Sequence, residues 1–127
     1  MLELPDCPFC GEPKNILENE LALAHYDSYP VSPGHCLVTP RRHVAEYFQA
    51  TAAERAAIWE LVDELKPIID REFSPDGYNI GVNVGAAAGQ SIPHLHIHLI
   101  PRYRGDVENP KGGVRGVLIV ADARAEA

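Results

Sequence analysis

Alternating apolar and polar residues predict several short strands in this chain. Positions 21–26 alternate in this way, and positions 35–39 form a second predicted strand. That strand should end at Pro40, because proline has no N–H to donate to a sheet. Further strands are predicted over 78–84 and about 92–100. The stretch before residue 15 is rich in Pro and Gly and is expected to form a loop.

One long helix is predicted over about 51–72. Thr51 and Glu54 have the spacing of a capping box, which satisfies backbone N–H groups at a helix start. Apolar residues then recur with a helical period: Ile58, Leu61, Val62, Leu65, Ile68 and Ile69. Pro67 lies inside this pattern, and we expect it to kink the helix or end it early.

Strands around a single long helix indicate an α+β domain with a largely antiparallel sheet. The chain has 127 residues, of which 46% are hydrophobic and 23% charged, so it fits a single domain over 1–127. A domain of this size can bury a sizeable core without disulfides or a metal. A final apolar stretch covers 117–120.

The charge balance limits the classes of partner. Eighteen acidic residues against eleven basic ones give a net charge of −7, and Lys and Arg form no continuous block. A stable nucleic-acid partner is therefore not expected. The N-terminus is acidic where a signal peptide would be basic, and the longest apolar run is five residues, 117–121. We therefore expect a soluble, cytoplasmic protein without a membrane partner.

Three histidines alternate with apolar residues near the C-terminal end of the predicted sheet. His94, His96 and His98 should share one face of a strand, while Leu95, Ile97 and Leu99 enter the core on the other. Such a row admits three interpretations: a histidine-rich solvated face, a zinc site using two alternate imidazoles and a third ligand, or a nucleophilic histidine with two assisting neighbours.

The nucleophile hypothesis gives each histidine a task. A neutral imidazole attacks phosphorus without prior deprotonation and forms a phosphoramidate that water can open. One neighbour would fix the orientation of the ring, and the other would hydrogen-bond the phosphate oxygens. The small-residue loop over 85–91 lies just upstream and could direct backbone N–H groups at a phosphate.

The sequence from His94 to Ile100 resembles the motif of the histidine triad (HIT) family of nucleotide hydrolases and transferases. The resemblance extends to Asn83, to 89–91, and to 26–27 and 33–38, and so covers most of the chain. It implies the HIT fold: a mainly antiparallel sheet of about five strands, with one long and one short helix. It also implies a homodimer with an extended sheet.

By this resemblance, His96 would attack the α-phosphate of a nucleoside 5′-phosphate derivative and carry a covalent nucleotidyl group. His98 would bind the phosphoryl oxygens, His94 would orient His96, and His35 would support the site. Further residues are implied as nucleotide contacts: Asp27 on the ribose, with Asn83, Gly89, Gln90 and Ser91 around the phosphate and leaving group. Asp27 can alternatively be read as a turn residue.

The branch of the family stays open. Ser91 and Asn83 resemble the Hint branch, which favours phosphoramidates and acyl adenylates. Pro101 and Arg102 resemble the Fhit branch, which cleaves dinucleoside polyphosphates, and the following tail resembles bacterial members linked to diadenosine polyphosphates. Basic side chains of that tail could grip a distal phosphate or simply be solvated.

Cys7 and Cys10 have the spacing of two thiolates that share one tetrahedral metal ion. A redox dithiol and an unliganded pair are the alternatives. No second such pair exists, so two histidines must complete a site, and the HIT resemblance offers His43 and His94. We therefore predict a structural zinc bound in part by the loop over 1–15, and no catalytic metal. Cys36, inside a strand pattern, is expected to be a small buried hydrophobe.

These observations predict a hydrolase or transferase that cleaves dinucleoside polyphosphates or adenosine phosphoramidate-like substrates and releases AMP. The adenosine-containing nucleotide is the expected partner. Two alternatives remain at this stage. The chain could be a nucleotide sensor that binds without turnover, or a zinc-dependent hydrolase that uses a His-x-His pair.

Overall fold

A computed structural model of the chain describes residues 7–10 and 15–118. One five-stranded antiparallel sheet has the spatial order β1-β2-β3-β5-β4. Its strands, in chain order, are β1 (Asn15–Glu18), β2 (Ala22–Tyr26), β3 (Cys36–Pro40), β4 (Gly77–Val82) and β5 (Ile97–Arg102). With one main helix, this architecture confirms the predicted α+β fold class.

The main helix, α1 (Ala52–Phe73), begins at the predicted capping box. Thr51 Oγ1 accepts from the Glu54 backbone N–H at 3.0 Å, and Glu54 Oε1 accepts from the Thr51 N–H at 2.9 Å. Of the two outcomes expected for Pro67, an early end of the helix is not observed, because α1 continues to Phe73, and a kink stays a prediction. Proline removes the N–H that would bond the carbonyl of Asp63, and Asp63 lies on the exposed side of the helix, where water can replace that donor.

The helix packs on one face of the sheet, chiefly against β2 and β3. Apolar side chains of α1 meet every second residue of the central strands and form a buried core: Ile58, Leu61, Leu65 and Ile69 with Ala22, Ala24, Cys36, Val38, Ile97 and Leu99. Cys36 is fully buried, as expected, and burial raises the pKa of its thiol to about 12. Helix α1 does not cover the opposite face of the sheet.

The histidine strand starts later than predicted. β5 begins at Ile97, so the stretch from residue 92 to His96 approaches the sheet without joining the strand. Pro93 lacks an N–H, and the N–H of Leu95 donates to the carbonyl of Val44 at 2.7 Å instead of to a ladder. The strand also runs on through Pro101. Pairing with β3 involves only Ile97–Leu99, so the missing N–H of Pro101 costs no bond there.

Three smaller differences concern short elements. β1 was not predicted, because four residues with polar ends carry no clear alternation. In the described part of the chain, three 3-10 helices take the place of the single short helix that the resemblance implied: Tyr47–Gln49, Ala86–Ala88 and Gly113–Val117. The apolar stretch 117–120 begins at the end of the last of these, and its final two residues lie outside the described part. Within 7–10 and 15–118, no helix is both long and apolar enough to cross a membrane.

Candidate functional site

The face of the sheet opposite α1 carries the histidines. His98 of β5 pairs with Leu37 of β3, and Leu37 pairs with His25 of β2. Residues that pair directly across strands point to the same face, so these three side chains form one row across the sheet. His96 precedes β5, and His35 precedes β3, on this side of the domain.

His35 is positioned by the turn that leads into β3. Gly34 has a φ of 87°, which favours glycine, and a Cβ atom there would lie 3.0 Å from the ring of Phe73. The Val31 backbone N–H donates to Nδ1 of His35 at 3.1 Å. Nδ1 therefore acts as an acceptor, and a neutral His35 carries its proton on Nε2.

The proton on His35 fixes the tautomer of His98. Nε2 of His35 lies 2.9 Å from Nδ1 of His98 and 3.4 Å from Oδ2 of Asp27. Since Nε2–H of His35 is the donor, Nδ1 of a neutral His98 accepts, and its own proton is on Nε2. Burial, followed by repulsion from His96 and His35, lowers the pKa of His98 to about 4. His98 therefore presents a neutral N–H donor at pH 7.

His96 has the complementary tautomer. Its Nδ1 lies 2.8 Å from the backbone carbonyl oxygen of His94, and a carbonyl can only accept. The proton of a neutral His96 therefore sits on Nδ1, and the lone pair sits on Nε2. The ring is 7% exposed, and its centroid lies 5.1 Å from that of His98. Two neighbouring imidazoles thus have complementary Nε2 atoms: that of His96 has a lone pair, and that of His98 has a proton to donate.

The resemblance assigned the orientation of His96 to His94, and the structure shows how the two are linked. The contact to His96 is made by the main chain of His94, not by its imidazole. The His94 ring is fully buried and donates from Nε2 to the carbonyl of Pro40 at 3.1 Å. Its Nδ1 lone pair then faces Cys7, Cys10 and His43.

Cys7, Cys10, His43 and His94 form a compact four-residue cluster. Their ligand-type atoms all lie within 4.8 Å of one another. Nδ1 of His94 is 3.4 Å from Sγ of Cys7, 3.5 Å from Sγ of Cys10 and 3.1 Å from Nδ1 of His43. A tetrahedral zinc with bonds of about 2.0–2.3 Å would separate its ligand atoms by roughly 3.3–3.8 Å. The donor set fits a metal ion of this type, and the contacts from His94 to the two sulfurs lie in that range, whereas the two histidine nitrogens are closer together than it.

A second group of potential metal ligands comprises Asp27, His35 and His98. Among the described residues, neither group contains two members of the triad, so no pair such as His94 and His96 converges on one point. In addition, the 2.9 Å contact between His35 and His98 is a hydrogen-bond distance and is shorter than the separation of two zinc-bound nitrogens.

The loop before the triad is held together by its own hydrogen bonds. The side chain of Gln90 donates to the carbonyls of Ala45 and Ile92, and its oxygen accepts from the N–H of Gly85. The N–H groups of Ala88, Gly89 and Gln90 bond to carbonyls within the loop. These backbone N–H groups, expected to face a phosphate, are thus already paired.

The other residues implied as nucleotide contacts lie at the surface of this region. Asn83 and Ser91 are exposed. A Cβ atom on Gly89, where φ is 90°, would come 3.8 Å from the side-chain nitrogen of Asn83, so these two residues are neighbours. By contrast, Arg102 of the tail donates to Asp106 and Asn79 at 2.6–2.8 Å, so its guanidinium is engaged within the fold.

A cavity of about 670 Å³ lies on this face of the sheet, and His25 is the histidine that lines it. Asp27 lines it, together with apolar side chains such as Phe9 and Ile92. The ring of Phe9 lies 5.0 Å from that of His96 and 5.7 Å from that of His25, measured between centroids. Phe9 and His25 were not identified from the sequence. His25 lies two residues before Asp27 in a strand pattern. This spacing could have indicated that both side chains lie on the same face.

Comparison with known proteins agrees with this geometry. Residues 12–105 match the model of the HIT domain. The chain is 37% identical over 90 residues to a bis(5′-adenosyl)-triphosphatase of Dictyostelium discoideum, covering 71% of this chain and 60% of that protein. It is 36% identical over 92 residues to an AP-4-A phosphorylase of Mycobacterium tuberculosis, covering 72% of this chain and 47% of the relative.

The fold has solved counterparts. A histidine triad nucleotide-binding protein of Sulfolobus tokodaii superposes with a TM-score of 0.73 at 37% identity, over 79% of this chain and 71% of that one. The chain spans only about half the length of the phosphorylase relative. Since the domain match covers most of the described residues and includes the three triad histidines, this chain belongs to the HIT family.

Proposed function

We propose that this protein is a nucleotide hydrolase or transferase that cleaves at the α-phosphate of nucleoside 5′-phosphate derivatives. The observation that carries the proposal is the hydrogen bond from Nδ1 of His96 to the carbonyl of His94. It leaves the Nε2 lone pair as the only nucleophilic position of the ring. A neutral imidazole held in one tautomer suits attack on phosphorus, and the His96 ring packs against Phe9, which lines a cavity of nucleoside size.

The proposed reaction has two displacements. Nε2 of His96 forms a bond to the α-phosphorus, and the bond from phosphorus to the leaving oxygen or nitrogen breaks, with its electron pair going to the leaving group. The ring then carries a positive charge, which the His94 carbonyl stabilises through Nδ1–H. Water next attacks the same phosphorus, the P–N bond breaks, and AMP leaves as the water proton is released.

The neighbouring residues have matching proposed roles. His98, kept neutral by its low pKa, donates Nε2–H to a phosphoryl oxygen, while His35 holds the other nitrogen of His98. Asp27 lines the cavity and accepts from ribose hydroxyls. Ser91, with Asn83 nearby in the upstream region, is proposed to protonate the leaving group.

We also propose that the cluster of Cys7, Cys10, His43 and His94 binds a structural zinc ion. Zinc bound there would tie the segment 7–10 to the strand region that carries His94, and it would supply no chemistry to the reaction. The hydrogen bond from His94 Nε2 to Pro40 supports this role, because it leaves Nδ1 free of a proton and fixes the ring.

The proposed substrate class is adenosine-containing. Relatives are named for bis(5′-adenosyl)-triphosphate and AP-4-A, which supports dinucleoside polyphosphates, and phosphoramidates remain the other candidates. The homodimer implied by the family resemblance is likewise proposed, and sedimentation of the purified protein tests it. A cytoplasmic location stays a prediction.

The decisive experiment traps the covalent adduct. We expect brief incubation with diadenosine tetraphosphate or adenosine 5′-phosphoramidate to add one adenylyl group to the protein, detected on the peptide containing His96 by mass spectrometry. His96→Asn is the matched variant, because its side-chain amide can still donate to the His94 carbonyl. We expect it to lose AMP release by at least about 10³-fold.

Calorimetric titration with AMP distinguishes loss of chemistry from loss of folding. His96→Asn should retain AMP binding. If the unmutated protein binds AMP but neither forms an adduct nor releases AMP, the chain is a sensor and the catalytic proposal is wrong. Equal turnover by His96→Asn would refute the assignment of the nucleophile.

A further inference from the structure

His25 is a buried polar side chain to which the proposed reaction gives no task. It is 5% exposed and lies on β2, in the row that continues through Leu37 to His98. Adjacent strands are about 4.8 Å apart, so two strand spacings, roughly 10 Å, separate the backbones of His25 and His98. A nucleoside whose phosphate lies at His98 can span that distance.

Among the described residues, one ring nitrogen of His25 has no hydrogen-bond partner. Nδ1 lies 3.3 Å from the backbone carbonyl of Tyr26, which can only accept, so a neutral ring carries its proton on Nδ1. Burial lowers the pKa of His25, which favours the neutral ring. Nε2 is then a bare acceptor, sealed from solvent and unpaired within 7–10 and 15–118. Buried polar atoms are nearly always paired, so this one calls for a partner.

The surroundings of His25 indicate what that partner is. His25 lines the 670 Å³ cavity together with Asp27. The lining near it is mixed: Phe9 and Ile92 are apolar, and Asn15, which pairs with His25 across the strands, is polar. Small-molecule sites combine apolar walls with a few placed polar groups that fix orientation. An aromatic base would bury its faces against the apolar walls, and Nε2 of a neutral His25 can accept a hydrogen bond from an N–H or O–H group. In the base of an adenine nucleotide, the 6-amino group is the donor of this kind.

We propose that His25 determines base specificity: its Nε2 accepts a hydrogen bond from the exocyclic 6-amino group of adenine. This inference rests on the proposed function, because it takes the cavity to be the nucleoside site. Phe9, whose ring lies against that of His25, must move aside to admit the base. Side-chain rotations of this kind are common on binding. A purine with a 6-carbonyl would set one acceptor against another and be disfavoured.

The test compares substrates that differ in one group. Adenosine 5′-phosphoramidate carries the 6-amino group, the purine riboside analogue has hydrogen there, and the inosine analogue has a carbonyl. We expect the unmutated protein to prefer adenosine over purine riboside by about 5- to 100-fold in kcat/KM, mainly through KM, with inosine lower still.

Two substitutions at one position separate recognition from packing. His25→Leu keeps an apolar side chain of similar length without an acceptor, and we expect its preference to fall to about twofold or less. His25→Gln supplies an amide oxygen near the position of Nε2 and should restore a preference of at least about fivefold. A structural role alone would lower activity toward all three substrates together and leave the ratio unchanged.

Binding measurements separate this inference from the catalytic proposal. Calorimetry of the unmutated protein with AMP and with purine riboside 5′-monophosphate needs no turnover. Tighter binding of AMP, lost in His25→Leu, supports the inference even if no substrate is cleaved. Equal binding of the two nucleotides, no binding of either, or a full preference in His25→Leu would overturn it, whether or not AMP is released from the phosphoramidate.

Discussion

The two faces of the sheet are carried by the same strands and are held together in different ways. Toward α1, Ala24, Val38 and Ile97 pack against apolar helix side chains. On the other face, alternate residues of the same strands, His25, Leu37 and His98, form a row, and the first two of them line a cavity. The alternation of a strand thus places the apolar core on one side of the sheet and the hydrogen-bonded histidines on the other.

The two faces differ in how strongly their contacts depend on orientation. Dispersion contacts in the core are non-directional, and similar side chains can replace one another there. On the histidine face, each ring has one tautomer because a specific acceptor or donor holds it, such as the His94 carbonyl for His96 and the Val31 N–H for His35. A small shift on this face would change which nitrogen carries a proton.

Truncating one leucine on each face is the strongest test of this comparison. Leu65 of α1 is fully buried against the helix-side core, and Leu37 is 3% exposed between His25 and His98. We expect Leu65→Ala and Leu37→Ala each to lower the free energy of unfolding by about 2–5 kcal/mol. Denaturant unfolding measures this loss.

Activity should separate the two variants. Assayed where both are folded, Leu65→Ala should keep kcat/KM within about twofold, while Leu37→Ala should lower it by about tenfold, since the cavity left by Leu37 loosens the histidine row. Equal activity of the two variants would mean that the faces are not functionally distinct.

Metal removal tests whether the proposed zinc ion stabilises the histidine face of the sheet. If zinc in the cluster of Cys7, Cys10, His43 and His94 is structural, a chelator should lower the thermal midpoint by about 5–10 °C and leave the activity of the folded protein within about threefold. Cys10→Ser should bind less zinc by elemental analysis. Cys36→Ala is the matched cysteine control and should retain zinc, because Cys36 lies in the helix-side core.

The opposite result of metal removal would indicate a different mechanism. If chelation abolishes activity below the melting range and added zinc restores it, a metal acts in catalysis. The geometry to examine would then be the second group, Asp27, His35 and His98.

Sequence periodicity predicted the apolar face better than the polar one. Helix α1 and the strands β2 and β3 follow from periods that burial imposes, and their predicted ends differ from the observed ones by at most one residue. β5 begins five residues later than predicted. Pro93 was a signal in the sequence that the alternation did not take into account, whereas the bond from the Leu95 N–H to the Val44 carbonyl is a tertiary feature that alternation does not encode. The short β1 gave no periodic signal.

The candidate site divides in the same way. Residue types and spacing identified the histidines and the cysteine pair. They did not show that the His94 main chain, rather than its ring, contacts His96, because this depends on the turn from residue 92 to the strand. Nor did they identify Phe9 or His25. These two residues become candidates only because the fold brings their rings into contact. Periodicity identifies which side chains are buried, but not which hydrogen bonds they make.

Acidification should weaken the histidine face through His98. Its folded pKa is about 4, against 6.5 for an ordinary histidine, and the groups that face it are Asp27, His35 and His96. Because the unfolded chain binds the extra proton first, stability is complete above pH 6.5 and is lost as pH falls toward 4. Between pH 7.5 and 5 this loss should be about 1–2 kcal/mol.

The variant His98→Asn isolates this contribution. It lacks the titrating ring, so its urea-unfolding free energy should vary less with pH than that of the unmutated protein, by the same 1–2 kcal/mol. Other acid-sensitive groups, including the cysteine cluster, are common to both proteins and cancel in the difference. Identical pH profiles would show that His98 is not held neutral by its surroundings.

The smallest expected effect is at the start of α1, on the face without chemistry. Thr51→Ala removes the hydroxyl that accepts from the Glu54 N–H, and it should cost about 1 kcal/mol in denaturant unfolding. Thr51→Ser keeps the hydroxyl and should cost a few tenths at most. Neither should change kcat/KM, because Glu54 still pairs with Arg42 at 2.7 Å and so holds the segment that leads to His43. A loss of activity in Thr51→Ala would show that the helix start and the histidine face are coupled through that ion pair.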